Sequence, residues 1–427
     1  MLTSPHLTRL PVAEFTTPSH NSKIRTAHCA PLSGSNCAII SPLQHTMATP
    51  TPYADELSLA VDAVHAASLL TKSVLRSLSN SVSAETKADD SPVTIADFAA
   101  QALIISFIHA VYPTDTFIGE ESADALRSNQ QLADQVWSLV QRAAPSSAAE
   151  DSRTSDLQHV ARPALTFPVS KAEMLNIIDL GMGASSSAQG RVWALDPVDG
   201  TATFMEGKQY AVCLCLLVDG EQQVGVIGCP NLKFDATSDA LNIGQRITED
   251  LVDNEGFGVM LSAVKGEGAY VRTMREDGLG EPRRVDLRKE KPKQLKELNF
   301  IETAMGMTTL SQAEHRAVAE SLGADWPGTT IWAQQMKWVA LTLGATDVHL
   351  RLPFNKQRFT CTWDHAGGQL LFTEAGGIIK DLEGGEIDFG QGRKLLGERN
   401  YGMVAALPSC FEQVMQAVQE ILEKRTR

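Results

Sequence analysis

Arg191-Val192-Trp193-Ala194-Leu195-Asp196-Pro197-Val198-Asp199-Gly200-Thr201-Ala202-Thr203-Phe204 is the stretch on which the fold and the chemistry turn. Val192 to Leu195 form a short apolar run of the kind a buried strand carries. Pro197 has no N–H to donate, so the ladder is expected to end there, with Asp196 and Asp199 on the turn. Gly200 and Thr201 follow, where a helix can begin with its N–H groups pointing outward. Two hard oxygen ligands would then stand beside a natural phosphate cradle. A D-P-x-D-G string also suits a hairpin turn in which both aspartates are merely soluble turn formers, so this stretch alone leaves two readings open.

The chain of 427 residues is long enough for two domains or one large layered domain. A hydrophobic content of 43% and a charged content of 21% are ordinary for a globular protein. No apolar run reaches the roughly 18 residues of a membrane-spanning helix. The formal charge of -14 argues against binding nucleic acid or an anionic membrane surface. It leaves room for a small phosphorylated substrate, because bound cations can invert the local field. The seven cysteines include no C-x-x-C pair, so neither a zinc ribbon nor a thioredoxin-type motif is available, and reduced, buried thiols are expected.

Residues 1–52 are rich in Ser, Thr, Pro and His, with Glu14 their one acidic residue, and are expected to form no core. An upstream artefact before a start at Met47, a disordered tail and a transit peptide all fit that composition. The folded region is expected as 53–240, an N-terminal α+β half carrying the main metal site, and 241–427, a C-terminal α/β half completing it. Leu57 to Leu78 have helical spacing, and a second helix follows from Thr94 and Asp97, where a capping box fits. Glu120-Glu121 follow a short apolar strand. They form either a solvated edge or one inward ligand beside one outward side chain. Residues 143–156 and 183–190 read as loops. Strands are expected at 210–218 and 224–228 around an Asp219-Gly220 turn, and another near 268–271. A domain change is expected at 235–255, where the composition turns polar. Helices are then expected over 311–322 and 332–343, a strand over 347–352, a helix from Trp363-Asp364 to Ala375, and a closing helix over 411–424. Asp364 also suits a plain N-cap.

Gly119-Glu120-Glu121-Ser122, Asp196-Pro-Val-Asp199-Gly-Thr201 and Trp363-Asp364-His365-Ala366-Gly367 together resemble the signatures of the magnesium-dependent, lithium-sensitive inositol monophosphatase-like phosphatases. The resemblance covers about residues 54–425. Within that superfamily the chain is most similar to the 3′(2′),5′-bisphosphate nucleotidase branch. The stretches that carry this are Asp90-Ser-Pro-Val-Thr94, Gln209-Tyr-Ala-Val-Cys-Leu214, Ile227-Gly-Cys-Pro-Asn-Leu232 and Leu350-Arg-Leu-Pro353.

The resemblance implies an α+β fold, a layered α-β-α-β-α sandwich of the inositol monophosphatase and fructose-1,6-bisphosphatase type. It implies hydrolysis of 3′-phosphoadenosine 5′-phosphate to AMP and phosphate, with 3′-phosphoadenylyl sulfate as a further substrate. It also implies links to sulfate assimilation and salt tolerance. The alternative is an inositol polyphosphate 1-phosphatase. Mg²⁺ is the implied cofactor: Glu120, Asp196 and the Val198 carbonyl would hold one ion, and Asp196, Asp199 and Asp364 a second. Asp97 and Thr201 would orient the attacking water, and the Gly200 and Thr201 N–H groups would receive the phosphate. Lys337 and Arg351 match basic residues near the substrate, although a surface lysine and a strand-end arginine would look the same. Four positions depart from the family's pattern. Ala202-Thr203 stand where it has Lys-Gly, Gln334 where a related branch has Ser, and Met307 is the nearest counterpart of a His. The expected partner is a small bisphosphorylated nucleotide, with no nucleic acid polymer and no membrane. A monomer in the cytoplasm is expected, or in an organelle if residues 1–52 are a transit peptide.

Overall fold

Residues 191–199 form a strand whose side chains alternate between two apolar cores, and the other elements are layered about its two faces. The computed structural model describes residues 52–77, 84–86, 92–144, 165–238 and 241–425, with backbone alone for 84–86 and 92–94. Residues 1–51 with Met47, the Asp90-Ser91 pair, the Thr94 side chain that would cap the second helix, and the loop beyond residue 144 lie outside the described residues.

The first hairpin is β1 (Ala84–Thr86) with β2 (Pro92–Thr94). The eight-stranded sheet contains β3 (Thr116–Gly119), β4 (Arg191–Asp199), β5 (Ala211–Val218), β6 (Glu221–Cys229), β7 (Val259–Val264), β8 (Gly268–Arg275), β9 (Gly278–Leu279) and β10 (Arg283–Val285). Its order is β10-β8-β7-β6-β5-β4-β3, with β9 on β8; β3 runs parallel to β4 and the other pairs are antiparallel. A five-stranded sheet joins β11 (Phe300–Glu302), β12 (Thr329–Thr330), β13 (Val348–Arg351), β15 (Ile378–Lys380) and β17 (Met403–Ala406) in the order β12-β11-β13-β17-β15. A small ribbon pairs β14 (Phe359–Cys361) with β16 (Lys394–Leu396).

Ten helices complete the described fold: α1 (Ala54–Ser77), α2 (Ile95–Val111), α3 (Asp124–Ser128), α4 (Gln130–Ala143), α5 (Lys171–Leu180), α6 (Thr201–Met205), α7 (Gln312–Ser321), α8 (Gln334–Thr342), α9 (Ala366–Ala375) and α10 (Phe411–Arg425). None among the described residues is long and apolar enough to cross a membrane.

Three cores define the layers. Trp193 and Leu195 of β4, with Leu214 and Leu216 of β5, face α1 and α2. Val192 and Ala194 face the opposite way, joining Trp338 and Met336 of α8, Leu370 and Leu371 of α9, and Ile301, Ile379 and Ala405 of the second sheet. The far side of that second sheet, Phe300, Val348, Leu350 and Val404, packs on Val318 of α7 and Val414 and Val418 of α10. The result is the expected α-β-α-β-α sandwich. The polar stretch at 235–255 is a connection within the first sheet, since β6 and β7 pair directly across it.

Helix α2 is buried nearly all round between α1, α4, α5 and β4, so it carries no polar stripe. The entry of β4 is tied down by a polar cluster. Arg191 Nε donates to both oxygens of buried Asp115 at 3.0 Å, Trp193 Nε1 donates to the same carboxylate at 2.8 Å, and Arg191 Nη1 reaches Glu56 of α1 at 3.1 Å. Asp115→Ala should cost about 2–3 kcal/mol, because a charge-assisted bond is lost and the buried indole N–H is stranded. Urea denaturation checks this, and an unchanged midpoint would contradict it.

Candidate functional site

In a flat strand, residues three apart point to opposite faces, so Asp196 and Asp199 could not share a site. The structure resolves this with a bulge. Asp196 pairs with Cys213 and Asp199 with Ala211, so three steps along β4 match two along β5. Val198 consequently joins Trp193 and Leu195 in the core beneath α1 and α2, while both aspartates turn toward α8 and α9. Pro197 does not end the ladder as expected. It sits within the bulge, where a missing N–H breaks no pairing, and β4 continues to Asp199.

Gly200 follows with φ +91°, and a Cβ there would lie 2.7 Å from the Cβ of Ala333, so both conformation and space call for glycine. Helix α6 then begins at Thr201, whose hydroxyl donates to the Val198 carbonyl at 3.2 Å. Helix α6 packs against β2, which runs straight into α2 and its fully buried Asp97.

Asp199 accepts the main-chain N–H groups of Gln334 (3.0 Å) and Gln335 (2.5 Å) at the head of α8. Ala333, the helix's own N-cap residue, supplies no side-chain bond, so Asp199 caps α8 from another element. Asp364 arrives from the turn Thr362–Asp364 before α9. It is not the N-cap; that position belongs to His365. Single oxygens of Asp196, Asp199 and Asp364 all lie within 4.8 Å of one another. Glu120, half-exposed at the end of β3, hydrogen-bonds Asp196. Glu121 does not face outward as the paired reading allowed. It is 3% exposed, and Gln101 of α2 grips its backbone through both N–H and carbonyl.

Electrostatics mark the cluster as strained without a cation. Burial, then Glu120, Asp199 and Asp364, pushes Asp196 well above the usual carboxylate range. Burial raises Asp199 to about 6 against the pull of the Gln335 and Gln334 N–H groups and of Lys337. Burial, then Asp199 and Glu120, raises Asp364 to about 7 against Arg351. An all-oxygen, buried, mutually repelling donor set fits a hard divalent cation.

Two cations, buried Lys337 and half-buried Arg351, stand within electrostatic reach of these acids. Lys337 of α8 donates only to uncharged groups, Thr303 Oγ1 (2.9 Å) and the Trp332 carbonyl (3.1 Å). Burial and then Arg351 push its amine down to about 8. Arg351 at the end of β13 donates to Gln334 Oε1 (2.8 Å) and Thr360 Oγ1 (3.2 Å). Neither forms an ion pair with a carboxylate among the described residues. Trp338 donates to His365 Nδ1 at 3.2 Å, so the proton of this neutral ring sits on Nε2, 2.8 Å from Thr360. Met307, in contrast, is 59% exposed. Two residues that sequence reasoning missed hold parts of the site. Glu249 accepts the Trp332 N–H at 2.8 Å ahead of α8, and Gln335 bridges α8 to the Asp364 turn. Nothing local in the sequence marks either, because their partners are remote in the chain.

A carboxylate cluster on the inner face of a five-layered sandwich, beside Lys337 and Arg351, describes a cation-assisted site for an anionic substrate. The chain belongs to the inositol monophosphatase family, a family of phosphatases whose model matches residues 148–423. It is 38% identical over 371 residues to a 3′(2′),5′-bisphosphate nucleotidase of Emericella nidulans, covering 87% of this chain and 99% of that protein. A 3′(2′),5′-bisphosphate nucleotidase of Schizosaccharomyces pombe is 36% identical, with 86% and 96% covered. Among solved structures, the extragenic suppressor protein suhB of Bartonella henselae superposes with a TM-score of 0.50 at 18% identity, over 85% of this chain and 98% of that one. At that identity the likeness speaks for the fold alone.

The raised carboxyls give a pH test with a definite sign. Between about pH 4 and 7 the metal-free folded state keeps protons on Asp196, Asp199 and Asp364 that the unfolded chain releases. Metal-free stability from this cluster therefore falls as pH rises through that window. A saturating divalent cation should raise Tm more at pH 8 than at pH 5.5, and scanning calorimetry giving equal shifts would contradict the assignment.

Proposed function

We propose that this chain is a 3′(2′),5′-bisphosphate nucleotidase that hydrolyses 3′-phosphoadenosine 5′-phosphate to AMP and phosphate, with 3′-phosphoadenylyl sulfate as a further substrate. The observation that carries the choice is the pair of cations without a carboxylate ion pair among the described residues, buried Lys337 and half-buried Arg351, beside the acid cluster. A substrate with one phosphoryl group at the carboxylates and a second anionic group on the cations satisfies both halves of the site. A simple monophosphate leaves the buried Lys337 and its neighbour Arg351 unmatched. The identity with bisphosphate nucleotidases over nearly their whole length supports the same choice.

In this proposal Glu120, Asp196 and the Val198 carbonyl hold one Mg²⁺, and Asp196, Asp199 and Asp364 a second. When bound, the ions neutralise phosphoryl charge and acidify water. The chain's own groups do the remaining work. The N–H groups of Gly200 and Thr201 receive the transferred phosphate at the head of α6. Asp97 draws the proton of the attacking water through the Thr201 hydroxyl, so that water oxygen attacks phosphorus in line with the 3′-oxygen that leaves. Asp364, the acid that interacts with Arg351, also lies against the substrate. The N-terminal half up to about residue 240 supplies the acids of β3 and β4, and the remainder supplies Asp364, Lys337 and Arg351. We further propose lithium inhibition, a monomeric state, a cytoplasmic location, and a role in sulfate assimilation and salt tolerance.

Phosphate release from 3′-phosphoadenosine 5′-phosphate and from inositol 1,4-bisphosphate, each with Mg²⁺, tests the substrate. Faster turnover of the inositol compound would assign an inositol polyphosphate 1-phosphatase instead. Asp97→Asn should lower kcat by at least 100-fold with little change in Tm. A simple capping role predicts the opposite, a loss of about 1 kcal/mol in stability and normal activity. Because Lys337 titrates near 8 in the free enzyme, kcat/KM should decline above that pH. Lys337→Met should abolish that alkaline limb along with most of the activity, and an unchanged profile would remove Lys337 from the substrate site.

A further inference from the structure

Two segments carry the acids that must converge, and they are far apart in sequence: the β4 bulge with Asp199, and the turn with Asp364. One uncharged residue joins them, by its main chain on one side and its side chain on the other. The main-chain N–H of Gln335 donates to Asp199 Oδ2 at 2.5 Å, its Nε2 donates to the carbonyl of Trp363 at 2.6 Å, and its Oε1 accepts the N–H of Gly368 at 3.0 Å. The last two groups flank Asp364 on either side. Gln335 itself is fully buried.

The Gly368 N–H is an orphan donor in the first turn of α9, and His365, that helix's N-cap residue, offers no side-chain bond to the turn. Gln335 satisfies the donor from a different helix. It therefore sets where α9 begins and which way the preceding residue projects. The fit is close: a Cβ on Gly368 would stand 2.4 Å from Gln335 Oε1 and 2.4 Å from Trp338 Cβ.

We propose that Gln335 is a positioning residue that locks the Asp364 turn onto Asp199 and thereby preforms the cation site. This rests on the metal role proposed above for the two acids. Gln335 touches neither substrate nor reacting atoms. It acts through the geometry of the acids, so its loss weakens cation binding, while substrate affinity at saturating metal changes little.

The test is calorimetric titration of Mn²⁺ into the metal-free full-length protein, comparing wild type with Q335M and Q335N. Q335M keeps the volume and removes both side-chain bonds. Q335N keeps the amide but is one methylene too short to make both. Mn²⁺ should bind at least ten-fold more weakly to each, with the Mn²⁺ concentration for half-maximal activity rising in step and KM at saturating metal unchanged within about two-fold. Binding within two-fold of wild type in either folded variant would overturn the inference. So would loss of the far-UV circular dichroism signal in both, which would make Gln335 a folding residue. If wild type itself binds no Mn²⁺ that Asp196→Ala abolishes, the metal role has failed and Gln335 has no cation site to preform.

Discussion

Mutual repulsion among buried carboxyls is the constraint on which the centre of this protein depends. Buried Asp196 and Asp199 crowd together with half-buried Asp364, and Glu120 is bonded to Asp196. Each is pushed toward its protonated form first by burial and then by its neighbours. Such an arrangement persists only because rigid elements deliver each acid from a different direction. The bulge in β4 brings two onto one face, the turn before α9 brings the third, and the end of β3 brings Glu120. None can retreat without disturbing a core that is packed on both sides of the sheet.

Helix ends do much of the holding. Asp199 occupies the capping position of α8 although it belongs to a strand, and the Gln335 side chain does the same for α9. Each cap satisfies an otherwise orphaned N–H and fixes an acid in the same contact, so helix geometry and site geometry are set together. The α8 N–H groups also oppose the upward shift of Asp199, which rises less than Asp364 although it is the more deeply buried of the two. On the other side, Gln334 is bonded to Arg351 and His349, and Thr360 to Arg351 and His365, all by groups that carry no negative charge. The cations are thus oriented without being neutralised. A chain with formal charge -14 keeps two unpaired positive groups at its centre, which is where an anion gains most from them.

Much of this was legible in the sequence because it is local. The apolar periodicity of α1 and α10 and the alternation of β5 and β6 report the faces those elements bury. The three acidic motifs lie at a strand end, a strand bulge and a helix start, where Gly, Pro and Asp set backbone direction within a few residues. Other features misled for equally physical reasons. Pro197 marks a bulge and not a strand end, since whether a missing N–H matters depends on the neighbouring strand. Asp364 looks like an N-cap because caps and ligands draw on the same short polar side chains. The polar stretch at 235–255 suggests a boundary, but composition cannot say whether the strands on either side of it pair.

The sequence by itself determined the family, the layered fold and the acids, because each rests on residue type at short spacing. Only the tertiary structure decided which face Asp199 takes, that Glu121 is buried, and that Gln335 and Glu249 hold the site. Those depend on pairing register and on partners such as Asp199 with Gln335 or Glu249 with Trp332, which share no stretch of chain. A hydrogen bond between remote segments leaves no periodic trace in either one, so it becomes visible only when the packed layers bring them together.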